Sequence, residues 1–339
     1  MNSVFFKPGR SNLFVRTSKS RSQRGGVLVT ILVWFVAIFD LPASDYSNED
    51  ELQSGKLLLV GGGKLPPEIR DLFFQLAGGE NARIVLIPTG SQDAESPAFI
   101  EDFLEPWRKY SPQSIVVLHA RNRCQANDSD FLKPLREATG VWISGGVQAR
   151  LADRYVGTKV EAELRHLLGR DGIIAGTSAG AAVMTRVMIA DGLRQPAIAS
   201  GLDLFSDAIV DQHFSQRYRM IRLAKATQMN PNRFGVGIDE GTGLLILQNR
   251  ARILGQGQVR FIAATQRPVP SPTSLMVCDY ASGEEVNLKL WREAAAQARP
   301  ITQAELSRGR RARVMQSRIA PSLTYSLSYE PNALDSCRK

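Results

Sequence analysis

The sequence predicts an α/β fold, a doubly wound and mostly parallel sheet with an antiparallel extension toward the C-terminal end. Three observations support this fold class. Short apolar, β-branched runs recur along the chain, and they are continuous rather than alternating, as strands buried on both faces require. Segments of helical character separate these runs, which is the order of βαβ units. After residue 234 the strands follow one another like hairpins.

Each element follows from one of these patterns. Apolar runs predict strands over 56–63, 82–90, 114–120, 140–146, 172–178 and 207–213. The segments between them predict helices over 66–78, 96–110, 129–138, 158–170 and 178–188. The hairpin-like segment 234–290 is expected to extend the sheet in antiparallel fashion. In such sheets ligands bind outside the carboxyl ends of the strands, so the chemistry is expected just after each apolar run.

The charge of the chain is concentrated at its two ends. The net charge is +9, but residues 1–39 carry six Lys and Arg and no acid, and residues 301–339 carry seven against three acids. The 29 basic and 30 acidic residues between them nearly cancel. Because no basic stripe with interleaved aromatic residues is present, the composition argues against a nucleic-acid partner.

The N-terminal segment is typical of a targeting sequence. Six basic residues precede an apolar run of 13 at 27–39, which is shorter than the roughly 20 residues that span a bilayer. We therefore expect residues 1–44 to be a signal peptide or an N-terminal anchor and 45–55 to be a linker. The expected location is secreted or periplasmic, or cytoplasmic if the start codon is mis-assigned.

The stretch "GTSAG" at 176–180 is the strongest local motif. It fits G-x-S-x-G between a predicted strand and a predicted helix, the context of a nucleophile elbow. There the Ser178 hydroxyl stands above the sheet, and the N–H of Ala179 is directed at a developing oxyanion. The alternative is an ordinary small-residue turn that packs a helix close to the sheet.

A nucleophilic serine needs a base and a group that orients this base. His213 and His119 both end predicted strands, and position favours His213, whereas His166 lies within a predicted helix. The orienting acid is Asp211, Asp239 or Glu240, and spacing does not choose among them. Three arginines follow His213 and suit a substrate carboxylate, with a solvated basic helix face as the alternative; they are Arg217, Arg219 and Arg222.

Together, "GTSAGA", "DQHF" with the three arginines, "REATGVWISGG" and "GVGIDEGT" resemble cyanophycinases and their peptidase E relatives. The resemblance covers about residues 56 to 250. It implies a fold like that of class I glutamine amidotransferases. It also implies a serine-type exopeptidase that hydrolyses β-aspartyl peptide bonds and degrades cyanophycin to β-Asp-Arg dipeptides. From the pattern of the chain we expect 56–290 to be the peptidase domain and 291–339 to be a basic, partly disordered tail.

The resemblance also implies roles for individual residues. Ser178 matches the nucleophile, His213 its base and Glu240 the third member of the triad. Gly145 and Gly146 match the loop that forms the oxyanion hole with Ala179. The positions expected to bind substrate are Gln148, Gln212, Arg217, Arg219 and Arg222.

The sequence departs from the family at one position near this loop. The family motif G-G-D-Q reads Gly145-Gly146-Val147-Gln148 here, so other aspartyl dipeptides are the alternative substrates. A non-catalytic binding protein of the same fold is the alternative from another class. We expect no metal, no organic cofactor and no stable membrane span beyond the N-terminal segment. The expected partner is an aspartyl-peptide substrate, and a homodimer is left open.

Overall fold

The computed structural model describes residues 55–265, 274–298, 305 and 312–316, all within a unit that spans Glu51–Lys339. The strands are β1 Lys56–Val60, β2 Arg83–Ile87, β3 Ser114–Val117, β4 Gly140–Ile143, β5 Ile173–Thr177, β6 Val187–Asp191, β7 Ala197–Ser200, β8 Ala208–Gln212, β9 Phe234–Ile238, β10 Thr242–Leu247, β11 Arg250–Gly255, β12 Gln258–Thr265, β13 Ser274–Ala281, β14 Glu285–Asn287 and β15 Ala312–Gln316. The helices of the described ranges are α1 Pro67–Leu76, α2 Pro97–Arg108, α3 Lys133–Glu137, α4 Gln148–Tyr155, α5 Lys159–Gly169, α6 Ala179–Ala182, α7 Met220–Met229 and α8 Leu288–Gln297.

The central sheet has eight strands in the order β14-β11-β10-β1-β5-β4-β2-β3. The five strands from β1 to β3 in this order are parallel, and β10, β11 and β14 add an antiparallel edge next to β1. The sequence-based fold class, an α/β sheet that is mostly parallel with an antiparallel extension, is confirmed. The carboxyl ends of β5, β4, β2 and β3 therefore lie side by side at one edge.

Alternate residues of β1 enter separate apolar clusters on the two faces of this sheet. Leu57 and Leu59 pack with residues of α4 and α5, whereas Leu58 and Val60 pack with residues of α1 and α2. Burial on both faces explains why the parallel strands read as continuous apolar runs.

The structure contains a second sheet, which the sequence did not predict and whose strand β8 ends just before His213. Strands β8, β9, β12, β13 and β15 form it, with β8 and β9 parallel and the other pairs antiparallel. The expectation that 207–213 and all of 234–290 extend a single sheet is wrong. The chain passes from the second sheet to the central sheet in the turn 239–241, because β9 pairs with β8 whereas β10 pairs with β1.

The predicted helix 178–188 is also wrong beyond residue 182. Helix α6 has four residues, and β6 begins at Val187. The carbonyls of Val183 and Met184, which a longer helix would use, instead accept hydrogen bonds from the N–H groups of Leu202 and Leu204. The hairpin of β6 and β7 and the helix α4 were not predicted from the sequence.

Two described elements lie across or beyond the domain boundary predicted at residue 290. Helix α8 crosses the predicted boundary at residue 290, and β15 within the predicted tail pairs with β13. The predicted signal peptide or anchor, 1–44, lies outside the described residues. No helix in the described ranges is long and apolar enough to cross a bilayer.

Candidate active site

Ser178 stands in a tight elbow between β5 and α6. Its φ of +54° places a non-glycine residue in the left-handed region, a strained conformation that is typical of functional sites. The glycines of the motif make the turn sterically feasible. A Cβ on Gly176 would lie 2.3 Å from the Gly180 oxygen, and one on Gly180 would lie 2.2 Å from the Ile143 oxygen. The elbow thus matches the predicted nucleophile context rather than an ordinary turn.

The structure brings Ser178, His213 and Glu240 into one hydrogen-bonded chain. The Ser178 Oγ lies 2.7 Å from the His213 Nε2, and the His213 Nδ1 lies 2.5 Å from the Glu240 Oε1. Since a carboxylate only accepts hydrogen bonds, Nδ1 carries the proton and Nε2 presents its lone pair to the serine hydroxyl. This is the protonation state that a general base requires.

Two of the three glycines at 61–63, Gly62 and Gly63, make room for the imidazole and the carboxylate, a role that the sequence did not reveal. A Cβ on Gly62 would lie 2.4 Å from the His213 Cε1, and one on Gly63 would lie 2.7 Å from the Glu240 Cβ. Both glycines have positive φ. The Gly61 carbonyl also accepts a 2.7 Å hydrogen bond from the His213 N–H. The loop after β1 therefore seats both residues, and the signal for it was the glycine run at a strand end.

The other candidate bases and acids are engaged elsewhere. His119 contacts Thr89 at 2.9 Å, and His166 is exposed on α5. Asp211 pairs with arginines, as described below. Asp239 accepts hydrogen bonds from the backbone N–H groups of Ser215 and Gln258. Contact thus selects Glu240, the choice that spacing left open.

The environment of His213 favours the neutral imidazole. Burial lowers the pKa of His213 below its ordinary value near 6.5, Arg217 and Arg219 lower it further, and the contact with Glu240 opposes them. A positively charged ring is costly to bury, and nearby guanidinium groups repel it. At neutral pH the ring is therefore ready to accept a proton.

We predict a pH profile from this shift. Activity should be on its plateau at pH 7 and fall only as the pH drops through the lowered pKa of His213, because protonation removes the base. Replacing Arg217 with Gln removes a nearby cation, so the acid limb should move upward by about a few tenths of a pH unit. Measuring kcat/KM from pH 4.5 to 8 for both proteins checks this. An acid limb that moves downward in the variant would contradict it.

The loop after β4 lies directly beside the nucleophile. A Cβ on Gly145 would be 3.3 Å from the Ser178 Cβ. Gly146 has a φ of +125°, and a Cβ there would be 2.2 Å from the Gly90 oxygen. The side chain of Val147 is 41% exposed. This loop and Ala179, the first residue of α6, therefore both adjoin Ser178.

Three predicted substrate-binding residues lie near His213, namely Gln212, Arg217 and Arg219. Arg219 donates to the Gln212 carbonyl at 2.6 Å and to the Gln212 Oε1 at 3.1 Å. Burial lowers the pKa of Arg219 to about 10, and Asp211 opposes this effect, so the guanidinium stays charged at neutral pH. Arg217 is exposed. Arg217 thus offers an accessible cation, whereas Arg219 is held in place beside the base.

Gln148 and Arg222 instead bind the backbone of the β6–β7 hairpin. The Gln148 amide donates to the Ile189 carbonyl at 3.0 Å, and the Arg222 Nη1 donates to the Gly192 carbonyl at 2.6 Å. Arg222 is 4% exposed and forms a two-point ion pair with Asp211, which is fully buried. The structure therefore does not place Arg222 as an open substrate contact, since its donors are used within the protein.

This arrangement predicts a structural rather than a binding defect for Arg222→Ala. The variant leaves a buried carboxylate with only Arg219, so the free energy of unfolding should fall by about 3 kcal/mol. The control Arg217→Ala should change it by less than about 0.5 kcal/mol. Urea unfolding measures both. A variant of Arg222 with wild-type stability and a raised KM would show instead that this residue binds substrate.

The described residues include no group of three or more His, Cys, Asp or Glu side chains arranged to hold a metal ion. The site contains a serine hydroxyl in contact with a neutral imidazole, a carboxylate in contact with the same imidazole, and a tight glycine loop. This set can transfer an acyl group from an amide to water. The fold and the site together define the class of serine peptidases.

Comparison with known proteins identifies the family. The model of peptidase family S51 matches residues 57–254, more than half of the chain, so the chain belongs to this family. A cyanophycinase of Synechococcus elongatus is 32% identical over 233 residues, covering 65% of this chain and 72% of the relative. A cyanophycinase of Trichormus variabilis is 34% identical over 223 residues, covering 62% and 74%. The chain is a serine peptidase.

A solved structure supports the fold. The crystal structure of a peptidase from an acI-B1 Actinobacterium aligns with a TM-score of 0.55 at 22% identity, covering 69% of this chain and 96% of that chain.

Proposed function

We propose that this protein is an exopeptidase that degrades cyanophycin to β-Asp-Arg dipeptides, with Ser178, His213 and Glu240 as its catalytic triad. The observation that carries the proposal is the continuous contact from the Ser178 Oγ through His213 to Glu240, in a chain whose relatives are cyanophycinases. Cyanophycin is a polyaspartate backbone bearing arginine side groups. Because the product keeps the bond between the β-carboxyl group and arginine, the amide that breaks is the backbone bond between aspartates and not the β-aspartyl bond itself.

The first half of the reaction forms an acyl-enzyme. His213 Nε2 takes the hydroxyl proton of Ser178 while Oγ attacks the scissile carbonyl carbon. Glu240 stabilises the imidazolium that results. The N–H groups of Ala179 and the Gly145–Gly146 loop hold the oxyanion. The C–N bond then breaks, and the leaving amine takes the proton from His213.

The second half returns the enzyme to its starting state. Water attacks the ester carbonyl and gives a proton to His213. The C–O bond to Ser178 breaks, and Oγ regains its proton from the imidazolium. The peptide product leaves with a new carboxyl group. In both halves the protein's own groups balance the proton transfers.

The arginines near His213 support the proposal of a substrate that carries a carboxylate. Arg217 is exposed and Arg219 is fixed beside Gln212, so a carboxylate of the substrate would meet one or both guanidinium groups. Guanidinium groups bind carboxylates through paired, charge-assisted hydrogen bonds. Such contacts orient the scissile bond without taking part in the chemistry.

A second candidate activity is hydrolysis of other aspartyl dipeptides. Val147, 41% exposed beside the oxyanion loop, stands where the family motif places an acid. A valine removes a charge that would attract the cationic arginine group of cyanophycin. This single observation favours smaller or less basic aspartyl substrates.

One assay separates the two activities. Purified protein is incubated with cyanophycin and, separately, with a panel of β-Asp and α-Asp dipeptides, and the products are identified by mass spectrometry. We expect β-Asp-Arg to accumulate from the polymer. Cleavage of the dipeptides alone would establish the second candidate, and no cleavage of any substrate would overturn both.

A further inference from the structure

A buried polar network lies at the ends of β2 and β3, outside the triad. The Tyr155 hydroxyl lies 2.6 Å from the Thr89 Oγ1, which lies 2.9 Å from the His119 Nδ1. The N–H of Ala120 donates to the Tyr155 oxygen at 3.1 Å. Thr89 and Tyr155 are each 1% exposed. Burying the Thr89 and Tyr155 hydroxyls costs free energy unless their hydrogen bonds are satisfied.

The proton positions in this network follow from its donors. Because the Tyr155 oxygen accepts from Ala120, we assign its own proton to the bond with Thr89. The Thr89 proton is then donated to the His119 Nδ1, and Nε2 keeps the ring proton. His119 Nε2 lies 3.6 Å from a Glu95 oxygen, on the solvent side of the network. Each member of the network thus has a defined donor or acceptor role.

Thr89 leads directly to the oxyanion loop. The next residue, Gly90, accepts a 2.9 Å hydrogen bond from the N–H of Val147. A Cβ on Gly146 would lie only 2.2 Å from the Gly90 oxygen. The backbone at Gly90 and the backbone at Gly146 are in close contact. A displacement of Thr89 and Gly90 would therefore move Gly145 and Gly146 as well.

Helix α4 provides a second connection between the loop and Thr89. It begins at Gln148, immediately after the loop, and ends at Tyr155. The Arg150 Nε of the same helix donates to the Thr89 carbonyl at 3.4 Å. The loop is therefore joined to Thr89 at one end through Gly90 and at the other end through the helix and the Tyr155 hydroxyl.

We propose that Thr89, His119 and Tyr155 are positioning residues that fix the Gly145–Gly146 loop against Ser178. The proposal rests on the proposed function, in which this loop binds the oxyanion. Oxyanion donors act over a narrow range of distance, so a loop held from both ends keeps its N–H groups where the negative charge develops. None of the three residues contacts Ser178 in the structure, so their effect on the reaction is indirect.

The variant Tyr155→Phe tests the proposal, because it removes one oxygen atom and keeps the buried ring. We expect kcat on the active substrate to fall about tenfold with KM within about twofold of wild type. The matched control is Tyr110→Phe. Tyr110 packs against the cluster on the other face of the sheet and its hydroxyl donates to Asp71, so the kcat of this variant should not change. Thr89→Ser should keep wild-type kcat, whereas Thr89→Val should resemble Tyr155→Phe.

A binding measurement distinguishes positioning from a general loss of stability. An aspartyl peptide aldehyde, which forms a tetrahedral adduct with a serine, should bind Tyr155→Phe about tenfold more weakly than wild type. An uncleaved aspartyl peptide bound to Ser178→Ala should keep its affinity when Tyr155→Phe is added. Calorimetry measures both.

The outcomes are distinct. A Tyr155→Phe protein with wild-type kcat and wild-type aldehyde affinity would overturn this inference alone. A wild-type protein that neither cleaves an aspartyl peptide nor binds the aldehyde would overturn the proposed function together with it.

Discussion

Ser178→Ala is expected to lower kcat on the active substrate by on the order of 10⁴- to 10⁶-fold. In the proposed mechanism the substitution removes the oxygen that attacks the carbonyl carbon, and alanine carries no nucleophilic atom in its place. Substrate affinity should be retained, because the arginines and the oxyanion loop are unchanged. Alanine also suits the elbow sterically, since the residues around it are small. Steady-state kinetics and calorimetry measure the two effects.

A control variant keeps this result specific. Ser114→Ala makes the same change at an exposed position at the start of β3, the end of the strand away from the site, and should leave kcat unchanged. Residual activity of Ser178→Ala within about tenfold of wild type would show that another group is the nucleophile.

Glu240→Gln is expected to lower kcat by about 10³- to 10⁴-fold. The amide has the shape of the carboxylate but can donate a hydrogen bond to the His213 Nδ1. It thereby stabilises the other tautomer, in which Nε2 carries the proton and cannot accept one from Ser178. KM should change little, because Glu240 contacts the imidazole rather than the expected position of the substrate.

The pH profile of this variant provides an independent check. Contact with Glu240 raises the pKa of His213, so its loss should move the acid limb to lower pH. The control Glu101→Gln alters an exposed ion pair with Arg108 on α2 and should leave both kcat and the profile unchanged. A Glu240→Gln variant with nearly wild-type kcat would mean that Glu240 does not orient the base.

Much of the fold could be predicted from the sequence because its parallel strands are buried on both faces. Residues 57–60 then form an uninterrupted apolar run, whereas a strand with one face in water alternates apolar and polar residues. The elbow at Ser178 was also predictable, because small residues are needed where a strand and a helix meet so closely. The short α6 was not predictable, since distant backbone groups of 202–204 end it.

Ser178 follows a strand of the central sheet and His213 follows a strand of the second sheet. Which strands pair depends on contacts between distant parts of the chain, and local sequence patterns do not show these contacts. Strand 208–212 reads like any buried strand, and only its pairing with β9 shows that His213 leaves a separate sheet. The functions of the arginines were equally hidden. Arg219 and Arg222 are three residues apart, yet both turn to the buried Asp211. The sequence shows where the guanidinium groups are but not which carboxylate each of them binds.

We propose that Ser178, His213 and Glu240 act as one catalytic unit. Measuring kcat for Ser178→Ala, Glu240→Gln and the variant that combines them tests this claim most directly. Residues of one unit give strongly non-additive losses, so the combined variant should be no slower than Ser178→Ala within about threefold. A combined loss equal to the product of the two separate losses would show that Glu240 acts independently of the serine and would contradict the claim.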